Sequence, residues 1–160
     1  MRALISVYDK HGVDLFAGEL AGLGYEIVSS GGTAAFLEEH GLPVTRVEDI
    51  TGAPEVLGGR VKTLHPRIHA GILARRDLER DVETLAAEGI EPFDLVCVNL
   101  YPFSSVAGRI DIEEADVIEM IDVGGPARGS RPSTAKSANF PALMEPLRAS
   151  SKAAKAAFFV

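Results

Sequence analysis

A single cysteine in 160 residues excludes an internal disulfide. Cys97 stands inside Leu95-Val96-Cys97-Val98, where a thiol serves as a small apolar side chain. No apolar run reaches the roughly 18 residues that span a bilayer. The opening run, Met1 to Ser6, is cut short by Asp9, Lys10 and His11, with no small-residue cleavage site after it. It is read as a buried strand rather than a signal peptide, and the expected compartment is the cytoplasm. With one cysteine, the paired Cys/His pattern of a structural metal site is missing. A Walker-type loop and a Gly-x-Gly-x-x-Gly loop are both missing, as is the Gly-x-Ser-x-Gly elbow of a serine hydrolase. Basic charge is scarce too. The net charge is −7, and residues 1–127 hold 10 Lys/Arg against 22 Asp/Glu. An acidic body argues against nucleic acid as the partner. Residues 128–160 reverse the balance, with 6 Lys/Arg and one acid, and read as a solvated or disordered extension.

What is present fits one globular domain: 46% hydrophobic residues on a chain long enough to bury a core. Strand and helix signals alternate. Ala3–Val7, Tyr25–Ser29, Leu42–Val47 and Leu95–Leu100 read as strands. Val13–Leu23 repeats apolar residues at helical spacing, with Gly24 as its stop. Further helices are expected over Thr33–His40, Ile68–Ala74, Leu78–Glu88 and Ile112–Ile121, the last acidic at its start as its positive end favours. This alternation predicts an α/β fold, three layers deep, with a mostly parallel sheet and helices on both faces. Ligands of such sheets bind at the carboxyl ends of the strands. Tyr8, Asp9 and Lys10, then Ser30, Gly31, Gly32 and Thr33, then Asn99 and Tyr101 are therefore expected along one edge. No strand is expected after Asn99, where Arg128 to Thr134 is rich in breakers and Ser150 to Ala157 is a low-complexity run.

Two segments hold groups suited to chemistry. Ser29-Ser30-Gly31-Gly32-Thr33 joins a strand to a helix, where free N–H groups favour a phosphate. Lys10 and the hydroxyls of Ser6, Ser30 and Thr33 would complete that site; the alternative is a turn that binds nothing. Gly58-Gly59-Arg60-Val61-Lys62-Thr63-Leu64-His65-Pro66 combines glycines that permit close approach with two cations, a hydroxyl and an imidazole. Its alternative is a solvated charged loop. His65 either does chemistry or shapes the turn before Pro66, and His69 reads as a helix-face residue. Asp122, between a helix end and Val123-Gly124-Gly125, is either a cap or a proton-handling group. Tyr101 either packs or faces a ligand.

Taken together these segments resemble the N-terminal, IMP cyclohydrolase domain of the bifunctional purine-biosynthesis family that couples AICAR transformylase to IMP cyclohydrolase. The matching motifs are Ser6-Val7-Tyr8-Asp9-Lys10, Ser29 to Ala34, Gly58 to Pro66, His69 to Ala74, Asn99-Leu100-Tyr101-Pro102-Phe103 and Ile121 to Pro126. The resemblance runs to residue 127 and implies a methylglyoxal-synthase-like fold over 1–127. It implies ring closure of 5-formamidoimidazole-4-carboxamide ribotide to IMP with loss of water, no cofactor or metal, and a homodimer. By motif, Lys62, Tyr101 and Asp122 would be catalytic. Ser30, Gly31, Gly32, Thr33 and Lys10 would hold the phosphate. Ser6, Tyr8, Asp9, Arg60, Val61, Thr63, Asn99, Val123 and Gly124 would line the ribotide pocket.

The resemblance stops at Ala127. Where the family places its catalytic lysine this chain has Thr134, with Lys136 two residues later as the nearest substitute. Residues 128–160 resemble an unrelated or frame-altered sequence. The family's later strand and its transformylase domain are expected to be missing, leaving one sheet edge uncovered. Three readings follow: an active cyclohydrolase; a catalytically weakened purine-ribotide-binding module, like the allosteric domain of carbamoyl-phosphate synthetase; and methylglyoxal synthase, against which the Lys62-to-Pro66 and Tyr101-Pro102-Phe103 motifs argue.

Overall fold

Short apolar runs alternate with amphipathic ones along this chain, and each run becomes a strand or a helix accordingly. The computed structural model describes residues 1–57 and 61–99, together with the backbone of two later strands, 136–137 and 156–159. In order the elements are β1 (Arg2–Ser6), α1 (Val13–Gly22), β2 (Glu26–Ser29), α2 (Gly31–Glu39), β3 (Thr45–Arg46) and α3 (Val47–Thr51). They continue as α4 (Pro66–Leu73), α5 (Glu79–Ala87), β4 (Leu95–Val98), β5 (Lys136–Ser137) and β6 (Ala156–Phe159).

The sheet runs β3-β2-β1-β4-β6-β5, and every pairing in it is parallel. Side chains alternate between the two faces of a strand, so β1 and β4 divide their residues between two cores. Ala3, Ile5, Leu95 and Cys97 pack with Val13, Phe16, Ala17 and Leu20 of α1 and Leu37 of α2. Leu4, Val96 and Val98 pack on the other side with Val28, Val47 of α3, and Ile68 and Ile72 of α4. This is the three-layer α/β arrangement that alternation predicts. Strands apolar on both faces are what a parallel sheet under two helical layers requires.

Two expectations are corrected. The stretch Leu42–Val47 contributes only two strand residues; from Val47 the chain turns into α3, where the Asp49 carboxylate accepts from the Arg46 N–H at 3.3 Å. More consequentially, strands do follow Asn99. β6 lies beside β4 with Leu95 opposite Ala156 and Val98 opposite Phe159, and β5 lies beside β6. β4 is therefore an inner strand, not an exposed edge. Alanine carries little strand preference of its own, so the Ala-rich run gave no local signal; the unpaired backbone of β4 supplies the template. The helix expected over Ile112–Ile121 lies outside the described residues.

The amino ends of the strands are locked by ion pairs. Arg2 reaches Glu26 at 2.8 Å and Glu91 at 3.2 Å, and its backbone N–H donates to Asp94 Oδ2 at 2.7 Å. Arg76 holds the other Asp94 oxygen at 2.6 Å. Burial alone would raise the Glu26 carboxyl; the hydrogen bonds from Arg2 and Thr45 and the charge of Arg2 outweigh it and hold the group below its ordinary value. Structural charge is thus spent at one edge, and the opposite edge carries the candidate site.

Candidate anion-binding site

At the carboxyl edge β1 runs into Val7–Gly12, β2 runs directly into α2, and β4 runs into Asn99. Hydroxyls fasten these exits together. Ser29 Oγ donates to the Ile5 carbonyl at 2.7 Å. Thr33 Oγ1 donates to the Val7 carbonyl at 2.9 Å and accepts from the Val7 N–H at 3.2 Å. The first turn of α2 is thereby pinned to the loop after β1.

Ser30 caps α2 in an extended conformation, but its side chain makes no capping hydrogen bond. It is only 2% exposed, and its Oγ has no hydrogen-bond partner among the described residues. A buried hydroxyl left unpaired costs on the order of 1–3 kcal/mol. Beside it, Gly31 has φ +52°, a left-handed conformation that disfavours a side chain. A side chain there would also have to displace the ends of two neighbouring ones. A Cβ on Gly31 would stand 2.6 Å from Lys62 Nζ and 3.1 Å from Glu55 Oε1. On Gly32 it would stand 3.9 Å from Lys10 Nζ.

Two ammonium groups from distant segments thus meet at the start of one helix. Lys10 arrives on the loop after β1. Lys62 is brought by an antiparallel pairing of Val56 with Val61, closed by N–H to carbonyl bonds of 3.1 and 3.3 Å. The free N–H groups of the first helical turn carry partial positive charge. Lysines, helix start and an unpaired hydroxyl together make a cradle whose chemistry suits a phosphate.

Val61 and Thr63 flank Lys62, and Thr63 is buried. Ser6 ends β1, while Tyr8 is largely exposed and Asp9 Oδ1 accepts from the His11 N–H at 3.0 Å in a local turn. Asn99 spends its carboxamide on the β1 loop: Oδ1 accepts from the Tyr8 and Asp9 N–H groups, and Nδ2 donates to the Asp9 carbonyl at 2.9 Å. His65 serves as the cap of α4, accepting from the Arg67 N–H at 3.2 Å, with Pro66 in the first helical position. His69 lies on that helix with Nδ1 at 3.2 Å from the His65 carbonyl. Arg60, Tyr101, Asp122, Val123 and Gly124 lie outside the described residues. Lys136 is placed by its backbone alone, in β5. Sequence reasoning passed over Glu55, whose carboxylate shares the Gly31 corner with Lys62; only the Val56–Val61 pairing brings it there.

The sequence profile of the MGS-like domain matches residues 12–127. The bifunctional purine biosynthesis protein PurH of Cyanothece sp. is 61% identical over 126 residues, covering 78% of this chain and 24% of that protein. PurH of Synechococcus elongatus is 61% identical over 126 residues, with 78% and 25% covered. PurH of Lacticaseibacillus paracasei is 57% identical over 126 residues. This chain therefore spans about a quarter of the length of the curated relatives it matches. Among solved structures, the crystal structure of ForH superposes with a TM-score of 0.71 at 39% identity, covering 81% of this chain and 64% of that one.

Proposed function

The chain belongs to the MGS-like domain family, with bifunctional purine-biosynthesis proteins among its relatives, and from that premise we propose that it is an IMP cyclohydrolase. The observation that carries the proposal is the start of α2, where Lys62 Nζ lies beside Gly31, Lys10 Nζ lies beside Gly32, and the buried hydroxyl of the capping Ser30 has no partner among the described residues. In this reading the substrate is 5-formamidoimidazole-4-carboxamide ribotide. Its phosphate sits on the N–H groups of Gly31 and Gly32 with Lys10 beside it.

The carboxamide nitrogen attacks the formyl carbon, forming the new C–N bond and placing negative charge on the former formyl oxygen. Lys62 and Tyr101 stabilise that oxygen, and Asp122 takes the proton from nitrogen. That attack closes the ring. The oxygen then takes up two protons, one originating on the carboxamide nitrogen and one on the formamido nitrogen, and leaves as water as the C–O bond breaks and the formamido nitrogen forms the ring C=N bond. Both reacting groups belong to one bound molecule, so fixing its conformation removes much of the barrier. Ser6, Tyr8, Asp9, Thr33, Arg60, Val61, Thr63, Val123 and Gly124 border the ribotide. A cytoplasmic homodimer working at the close of purine synthesis, without cofactor or metal, completes the proposal.

One observation favours the weaker-catalyst reading. Lys136 stands on β5, separated from β4 by β6. At about 4.8 Å per strand its backbone lies roughly 10 Å from that of β4. The test is absorbance on converting the formamido ribotide to IMP, with Lys62→Ala as control. Turnover that falls by about 10²–10³ in the variant is expected for loss of an oxyanion donor. Saturable IMP binding without turnover would favour the binding module. Failure of both would end the proposal.

A further inference from the structure

The geometry points to Asn99 as a positioning residue that sets Lys10 against the start of α2. Every polar atom of its carboxamide is engaged by the β1 loop. Oδ1 receives two backbone N–H groups, from Tyr8 and Asp9, and Nδ2 donates to the Asp9 carbonyl. An amide group used in this way closes a clamp across consecutive peptide units, from a strand end some ninety residues away in sequence. The clamped backbone in turn holds the lysine. Lys10 Nζ donates to the Tyr8 carbonyl at 3.4 Å, the Lys10 carbonyl accepts from Val13 N–H at 3.1 Å as α1 begins, and Lys10 Cε and Nζ each stand 3.9 Å from a Cβ on Gly32. On the far side of the same loop, Thr33 fastens Val7 to α2. The loop is therefore held at two points, one by α2 and one by Asn99, and the Lys10 ammonium donates back to the held segment at the Tyr8 carbonyl.

Asn99 thus acts on a bound anion through Lys10 rather than by touching it. This rests on the reading that the start of α2 holds the ribotide phosphate. A thermodynamic cycle separates the two ideas. IMP is titrated calorimetrically into the wild-type chain, Asn99→Ala, Lys10→Ala and the double variant. Each single substitution is expected to weaken binding about tenfold, the scale of a charge-assisted contact. The double variant is expected to bind within about twofold of Lys10→Ala, because the clamp has nothing left to position. Losses that multiply instead would overturn the inference and leave the phosphate reading intact. Wild-type protein that does not bind IMP would overturn both. Asn99→Leu, which keeps the branched shape without hydrogen bonds, replaces the alanine variant if that one does not fold. A purely structural asparagine would lower stability equally in both backgrounds without this coupling.

Discussion

Ser30 carries the tension of the site in one side chain. Its hydroxyl is buried and has no partner among the described residues, so removing it relieves an unsatisfied polar group. Ser30→Ala is expected to raise unfolding stability by about 1 kcal/mol in urea denaturation while weakening IMP binding about fivefold to tenfold. Gains in both, or losses in both, would contradict a ligand-directed hydroxyl. Cys97 is the opposite kind of residue. Burial pushes its thiol up to about 12, so the reactive thiolate is scarce near neutrality. Iodoacetamide at pH 8 is expected to leave the native chain unlabelled and to label it fully in denaturant. Both residues were singled out from the sequence, one as a candidate phosphate ligand and one as a core thiol. The unpaired state of Ser30 was not legible, because it depends on what α2 and β1 place around it.

Among the elements, α4 shows how closely backbones approach in this fold. A Cβ on Gly71 would meet the Glu91 carbonyl at 2.9 Å and the Phe93 ring at 3.0 Å, and the Gly71 carbonyl accepts from the Phe93 N–H at 3.0 Å. Gly18 in α1 is different: its Cβ would make ordinary contact with Leu42 at 3.7 Å. Gly71→Ala is expected to cost about 1–3 kcal/mol despite alanine's helix preference. Gly18→Ala is expected to stabilise by up to about 1 kcal/mol. Urea denaturation of the two variants side by side checks both signs. α1, α2, α4 and α5 were legible in the sequence, with ends shifted by a residue or two, whereas α3 begins at Val47, which reads as the end of a strand. α2 begins at Gly31 rather than Thr33 because Gly31 tolerates the positive φ from which the helix starts.

At the scale of the whole molecule, the sheet order puts β1 at the centre and β6 against β4. Removing residues 151–160 would strip that cover. Ladder hydrogen bonds contribute about 1 kcal/mol net each, so the truncated chain is expected to lose about 2 kcal/mol or more. It is also expected to self-associate through the bared β4 edge. Chemical denaturation and light scattering test this; unchanged stability and a monodisperse truncated chain would show that the pairing adds nothing.

The sequence by itself determined the alternation of strands and helices, the parallel two-faced sheet, and the sheet edge at which Tyr8 to Lys10, Ser30 to Thr33 and Asn99 stand. Those properties follow from hydrophobic period and from glycine and lysine placement, which are local. Only the tertiary structure decided that Asn99 holds the Tyr8–Asp9 backbone, that Glu55 joins Lys62 at Gly31, that His65 caps α4, and that an alanine-rich segment becomes an inner strand beside β4. Each of these depends on a partner distant in sequence or on backbone geometry. A residue's own chemistry states what it can bind, while the fold states what stands within reach.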